Sequence, residues 1–240
     1  MRKLFLFLLL LPLIAVSQDD ESYLLNITEI TVKQGHNAQF MEGVKTWKKC
    51  YKDNKGENPW NMWSRVQGEG SVYALTSRMA NWAEMDEGAD EAAKACRMHV
   101  VNLIMPNVKS ANFNIASNLP KVSTTMSDDN TVVWVWNVKA KKPRDFMAVV
   151  NEISSSLQKA EGNKRGTWYS MQGGGPDAAD FFVAVPFKNF AGMDVDRDGV
   201  WEIYEKQNGK SKTEALREKM SGAIESEWTY IYSLNKDMSF

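Results

Sequence analysis

Histidine and cysteine are scarce in this chain, with two of each in 240 residues. Neither His36 nor His99 has a second histidine or a cysteine at metal-ligand spacing, so no Cys/His transition-metal centre is encoded. There is no basic stripe, and the formal net charge is −1. That balance argues against nucleic acid as a partner. Nucleophile elbow, phosphate-binding loop and dinucleotide fingerprint are all missing. Gly173-Gly174-Gly175-Pro176 precedes no helix and reads as a hairpin turn. Beyond residue 17 no apolar run approaches the roughly 20 residues that a membrane span needs.

What is present begins with an export signal. Arg2 and Lys3 precede an apolar run, Leu4 to Val16, and Ala15-Val16-Ser17 supplies small residues for cleavage before Gln18. Residues 1–17 therefore read as a signal peptide, with the mature chain periplasmic or extracellular. Without Arg2 and Lys3, 27 basic side chains face 30 acidic ones, a formal charge of −3. The 43% apolar and 25% charged residues are those of an ordinary folded protein. Nine tryptophans are many for this length, and they fill either core or an aromatic-lined cavity.

The mature sequence reads as one unit written twice, over 18–125 and 126–240. Val32-Lys33 recurs as Val138-Lys139, and Phe40-Met41 as Phe146-Met147. Trp63 is matched to Trp168, Asn81-Trp82 to Asn189-Phe190, and Phe113 to Trp228. Each half reads β-α-β-β-α-β. The opening strands, Leu24–Val32 and Thr131–Val138, are rich in β-branched and aromatic residues. In the helices that follow, Phe40, Val44, Trp47 and Tyr51 share one face, as do Phe146, Val150, Ile153 and Leu157. The second helix of the first half is expected to turn Ala93, Cys96, Val100, Leu103 and Ile104 inward. That of the second half is expected to break at Gly209. This order is the split βαβ pattern of ferredoxin-like domains. Thr131–Val138 is apolar at nearly every position, as a strand buried on both faces should be. Two such sheets facing each other would close a barrel with helices outside.

With this topology and the Asn-Trp-Ala-x-Met-Asp turn at 81–86, the chain resembles the dimeric α+β barrel superfamily, which includes antibiotic-biosynthesis-monooxygenase-like proteins. The resemblance implies a tandem fusion of the usual dimer, hence a monomer. Some members of that superfamily degrade haem with an asparagine, a tryptophan and a histidine. Asn26 and Trp82 stand in matching places here, but Ala92 stands where the histidine would. Cofactor-free oxygenase or isomerase chemistry is a further implication. In a split βαβ unit the two helices run side by side and antiparallel. Cys50 at the end of one and Cys96 early in the other are therefore expected to form a disulfide.

One more motif carries chemistry. Asp194-x-Asp196-x-Asp198-Gly199-Val200-x-Glu202-x-x-Glu205 fits the calcium-loop pattern at every constrained position. Alternate carboxylates, the Val200 carbonyl and a bidentate Glu205 would supply the oxygens, and a bound Ca²⁺ is the expectation set against a plain acidic loop whose Asp198 caps a helix. For a ligand pocket the candidates are Asn26, Trp63, Trp82, Trp134 and Trp136. The missing catalytic signatures favour an exported protein that binds a small apolar ligand or a protein partner without catalysis. The alternatives are the cofactor-free enzyme and a structural envelope or surface protein.

Overall fold

Eight strands alternate in direction and close on themselves. The computed structural model describes residues 22–175 and 177–240, so the expected signal peptide lies outside the described residues. The strands are β1 (Leu24–Val32), β2 (Asn61–Arg65), β3 (Val72–Met79), β4 (Val108–Asn118), β5 (Val132–Ala140), β6 (Thr167–Met171), β7 (Phe181–Phe187) and β8 (Ile224–Leu234). Around the barrel they run β1-β3-β2-β8-β5-β7-β6-β4, and β4 pairs back onto β1. Each half of the chain thus supplies four neighbouring strands, ordered β4-β1-β3-β2 and β8-β5-β7-β6. The seams are β2 with β8 and β4 with β6. A closed barrel leaves no edge strand open to pairing.

Alternation along each strand separates an inner face from a helix-covered outer face. On β5, Val133, Val135 and Asn137 face the lumen, while Trp136 and Val138 face outward. Helix α1 (Asn37–Asp53) presses Phe40 and Val44 onto Ile30, Val32, Met62 and Tyr73. Helix α5 (Pro143–Glu161), which begins at the proline, presses Phe146 and Val150 onto Val138, Trp168, Phe181 and Val183. Phe40 and Phe146 are both fully buried, each contributing about 2–3 kcal/mol of apolar burial.

Pairing corrects two of the residue matches between the halves. Trp63 opposes Ala74 and faces the lumen, whereas Trp168 opposes Val183 and faces the helices. On β1 and β4, Thr28 opposes Phe113; on β5 and β8, Trp134 opposes Ile231 and Asn137 opposes Trp228. The counterpart of Phe113 is therefore Ile231. An odd slip in register moves a side chain to the opposite face. Trp63 with Trp168, and Phe113 with Trp228, are accordingly not equivalent.

The outer helices differ between halves. In the second half α6 (Val200–Asn208) and α7 (Lys210–Ala223) meet at Gly209, whose φ of 83° breaks the helix as expected. The first half instead has α2 (Glu84–Glu87), α3 (Glu91–Ala95) and α4 (Arg97–His99), then a π-helical turn, Val100–Ile104. This break after Cys96 shifts the phase of the inward face. Ala92 and Cys96 are buried, but Leu103 is exposed, contrary to the inward placement expected of it. Gly43 of α1 makes the close approach possible, since a Cβ there would lie 2.7 Å from the Leu103 carbonyl oxygen. Cys50 and Cys96 form a disulfide with Cα atoms 5.9 Å apart. Beside it Trp47, Tyr51 and Trp60 cluster with Phe240, whose ring stacks on Trp60 at 4.8 Å.

Candidate functional site

The barrel interior is a cavity of about 1100 Å³ running between loops at both ends. Its size follows from the small residues placed inward: Ala74 on β3, Ala116 on β4 and Ala184 on β7. Much of the wall is apolar. Leu25, Ile27, Trp63, Val133, Val135 and Phe182 line it. The Trp63 indole N–H is satisfied by the Thr76 hydroxyl at 3.1 Å, leaving the ring as wall.

The two halves give this interior different chemistry. From the first half come Glu29 on β1 with Asn112 and Asn114 on β4. Glu29 opposes Asn112 and Ile27 opposes Asn114, so the three polar side chains share one face. From the second half come Tyr169, Tyr230 and Tyr232. Tyr169 stacks on Phe182 at 4.6 Å, and its hydroxyl lies 2.8 Å from that of Tyr23. Arg78 sits over the Tyr23 ring, and Arg65 over the Tyr230 ring, each at 4.6 Å. The Tyr232 hydroxyl donates across the lumen to Glu29 Oε2 at 3.4 Å. Burial, then the neighbouring Glu29 charge, push the Tyr232 phenol far up, so it remains a proton donor at any physiological pH. Burial does the same to Tyr169, aided by Tyr23.

Of the five pocket candidates read from the sequence, the cavity wall includes Trp63. Asn26 alternates with the lumen residues Leu25 and Ile27 and so faces outward on β1. Trp134 and Trp136 alternate with Val133 and Val135 and also face outward. Trp136 packs near Phe146 and donates its indole N–H to Glu227 Oε2. Trp82 lies in the turn before α2 and is 51% exposed. The polar lumen residues were missed. Their trace in the sequence is alternation: Leu25-x-Ile27-x-Glu29, Asn112-x-Asn114 and Tyr230-x-Tyr232.

The calcium expectation finds no support in the structure. Among the described residues no three His, Cys, Asp or Glu side chains converge to hold a metal ion. Gly199 is extended, with φ −65° and ψ 158°, instead of making the sharp turn a calcium loop needs at that position. Helix α6 already starts at Val200, and Glu202 folds back to accept from the Gly199 N–H at 2.6 Å. Asp198 is engaged by cations: its carboxylate pairs with Lys206, and its carbonyl accepts from Arg165 at 2.7 Å. Asp194, Asp196 and Glu205 are exposed. The loop acts as a helix start with an acidic surface.

For haem, which the superfamily resemblance raises, the lumen offers no histidine ligand. Neither histidine lines the cavity, and His36 Nδ1 is engaged with Asn107 Oδ1 at 2.9 Å. Among the described residues no helix is long and apolar enough to cross a membrane.

The fold and its lumen place this chain among α+β barrel proteins. No protein-family model matches it, and no curated protein does. Solved structures do. A candidate monooxygenase from Lactobacillus acidophilus is 13% identical, covers 92% of this chain and 99% of its own, and gives a TM-score of 0.53. A candidate monooxygenase from Fusobacterium nucleatum is 12% identical over 90% of this chain and 94% of its own, at 0.54. An anthrone oxidase-like protein is 10% identical over 90% and 92%, at 0.51. At such identities the likeness is one of fold, an α+β barrel of eight strands.

Proposed function

We propose that this is an exported binding protein whose barrel lumen holds a small, largely apolar ligand without catalysis. The observation that carries the reading is the cavity of about 1100 Å³ lined by Trp63, Val133, Val135 and Phe182. Sites for small molecules are concave and mostly apolar, with a few placed polar groups, and this lumen is of that kind. The disulfide suits an oxidising compartment, in keeping with a cleaved signal peptide over 1–17. The matching strand orders of the two halves support units at 18–125 and 126–240 that fuse the usual dimer into a monomer.

Native mass spectrometry of protein purified from its source tests the reading. The expected result is a mass excess of a few hundred daltons that is lost on denaturation. A bare mass, together with failure of apolar fluorescent probes to bind, overturns it.

Two further readings each have an observation behind them. The Glu29–Tyr232 pair is a carboxylate and a phenol facing each other in an apolar lumen, as a cofactor-free oxygenase or isomerase would require. Outside the barrel, Met98, Val101, Met105 and Phe113 expose apolar surface in the first half, as a protein partner would require.

A further inference from the structure

We propose that Glu29, flanked by Asn112 and Asn114, is a polar subsite that takes the hydroxyl group of a flat aromatic ligand. The proposal rests on the lumen-binding reading and adds the chemical class of what binds. Among the described residues that line the cavity, Glu29 is the sole carboxylate carried on a strand; Asp128 and Asp177 stand in loops at the mouths. A carboxylate accepts about four hydrogen bonds. Here one oxygen receives the long 3.4 Å bond from Tyr232, and the other has no hydrogen-bond partner among the described residues. The side-chain amides of Asn112 and Asn114 likewise make no hydrogen bond to a described residue.

When no ligand is bound, water satisfies these groups. A wholly apolar ligand would strip that water and leave a carboxylate unpaired, which is costly. A ligand with a hydroxyl facing Glu29 replaces the water with a charge-assisted hydrogen bond. Either amide can then donate to the same oxygen or accept from a second group. Aromatic side chains, Trp63, Phe182 and Tyr230, line the cavity from β2, β7 and β8, and a flat aromatic ligand packs well against such neighbours. The polar groups of this subsite thus sit on β1 and β4 and the aromatic ones on β2, β7 and β8.

The test compares 1-hydroxypyrene with 1-methoxypyrene by fluorescence titration of the mature protein. The second probe replaces the hydroxyl proton with a methyl group, so it lacks the donor. Wild type should bind hydroxypyrene about tenfold tighter, the order expected of one hydrogen bond to a charged group. Glu29→Leu, which leaves no acceptor at this position, should remove that preference. Tyr232→Phe, which frees Glu29 without deleting it, should keep the preference. Circular dichroism melts establish that each variant is folded. Equal binding of both probes to wild type overturns the subsite and leaves the lumen reading standing. A preference that survives Glu29→Leu also overturns it. If neither probe binds, the lumen reading fails, and the subsite with it.

Discussion

The two halves of the chain build the same strand order yet hold their outer helices by different means. In the first half the helices are joined by the Cys50–Cys96 disulfide and a cluster of Trp47, Tyr51 and Trp60. In the second half the corresponding place is packed with Val149, Ile153, Leu157, Ile203, Tyr204 and Leu216. The first-half helix after Cys96 is short, broken and apolar on its exposed side, with Met98, Val101 and Met105 outward. It has less buried surface to hold it, and the covalent link compensates. The inner walls differ as well: Glu29, Asn112 and Asn114 come from the first half, and Tyr169, Tyr230 and Tyr232 from the second.

The sharpest way to break this comparison is to remove the staple. The disulfide closes a loop of 46 residue steps, worth about 4 kcal/mol in the chain-entropy model. Cys50→Ser/Cys96→Ser should lose stability of that order in urea unfolding, and reduction should do the same to wild type. An unchanged midpoint would mean that the first-half helices hold without it. The second half should respond to a cavity instead. Leu157→Ala removes a fully packed side chain and should cost about 3 kcal/mol, whether or not reductant is present. Sensitivity of that loss to reductant would show that the two helix pairs are coupled.

Acid should act on both halves through one carboxylate in each. The Tyr51 hydroxyl, then the Ala93 amide, hold the Asp90 carboxyl below its usual range, and Arg165 does so for Glu161. Both pKa values are depressed in the folded state. The stability they contribute is in place above about pH 4 and is lost as pH falls further, through the folded values. Melting temperatures measured from neutral to acid pH should therefore drop on the acid side. Asp90→Asn should flatten part of that drop; an unaltered acid limb would contradict the assignment. The smallest effect belongs to the acidic loop. Asp196→Ala should shift stability by less than about 0.5 kcal/mol, with or without millimolar calcium. Calcium-dependent melting of wild type that the variant loses would restore the metal reading.

Periodicity made much of this architecture legible. The β1 and β6 ends, the inward faces of α1 and α5, and the break at Gly209 all follow from residue spacing. Parity did not follow. Trp63 and Trp168 look like one position written twice, but matching residue types do not fix a strand's register, and one residue of slip exchanges lumen for helix face. The acidic loop failed for a related reason. Its side chains fit the calcium pattern, while the backbone at Gly199 takes an extended path into a helix capped by Glu202. Aromatic content does not mark the lumen, because it does not report which face of a strand a residue takes. Trp134 and Trp136 belong to the outer face, and Glu29, Asn114 and Tyr232 mark the inner one only through alternation.

A crystal structure of the mature protein with pyrene bound tests the central claim most directly. The chain offers pyrene two apolar surfaces: the lumen at Trp63 and Phe182, and the exposed exterior, where Met98 is 59% accessible. The account predicts density inside the barrel, against Trp63. Density on the exterior alone, with only water in the lumen, would contradict it.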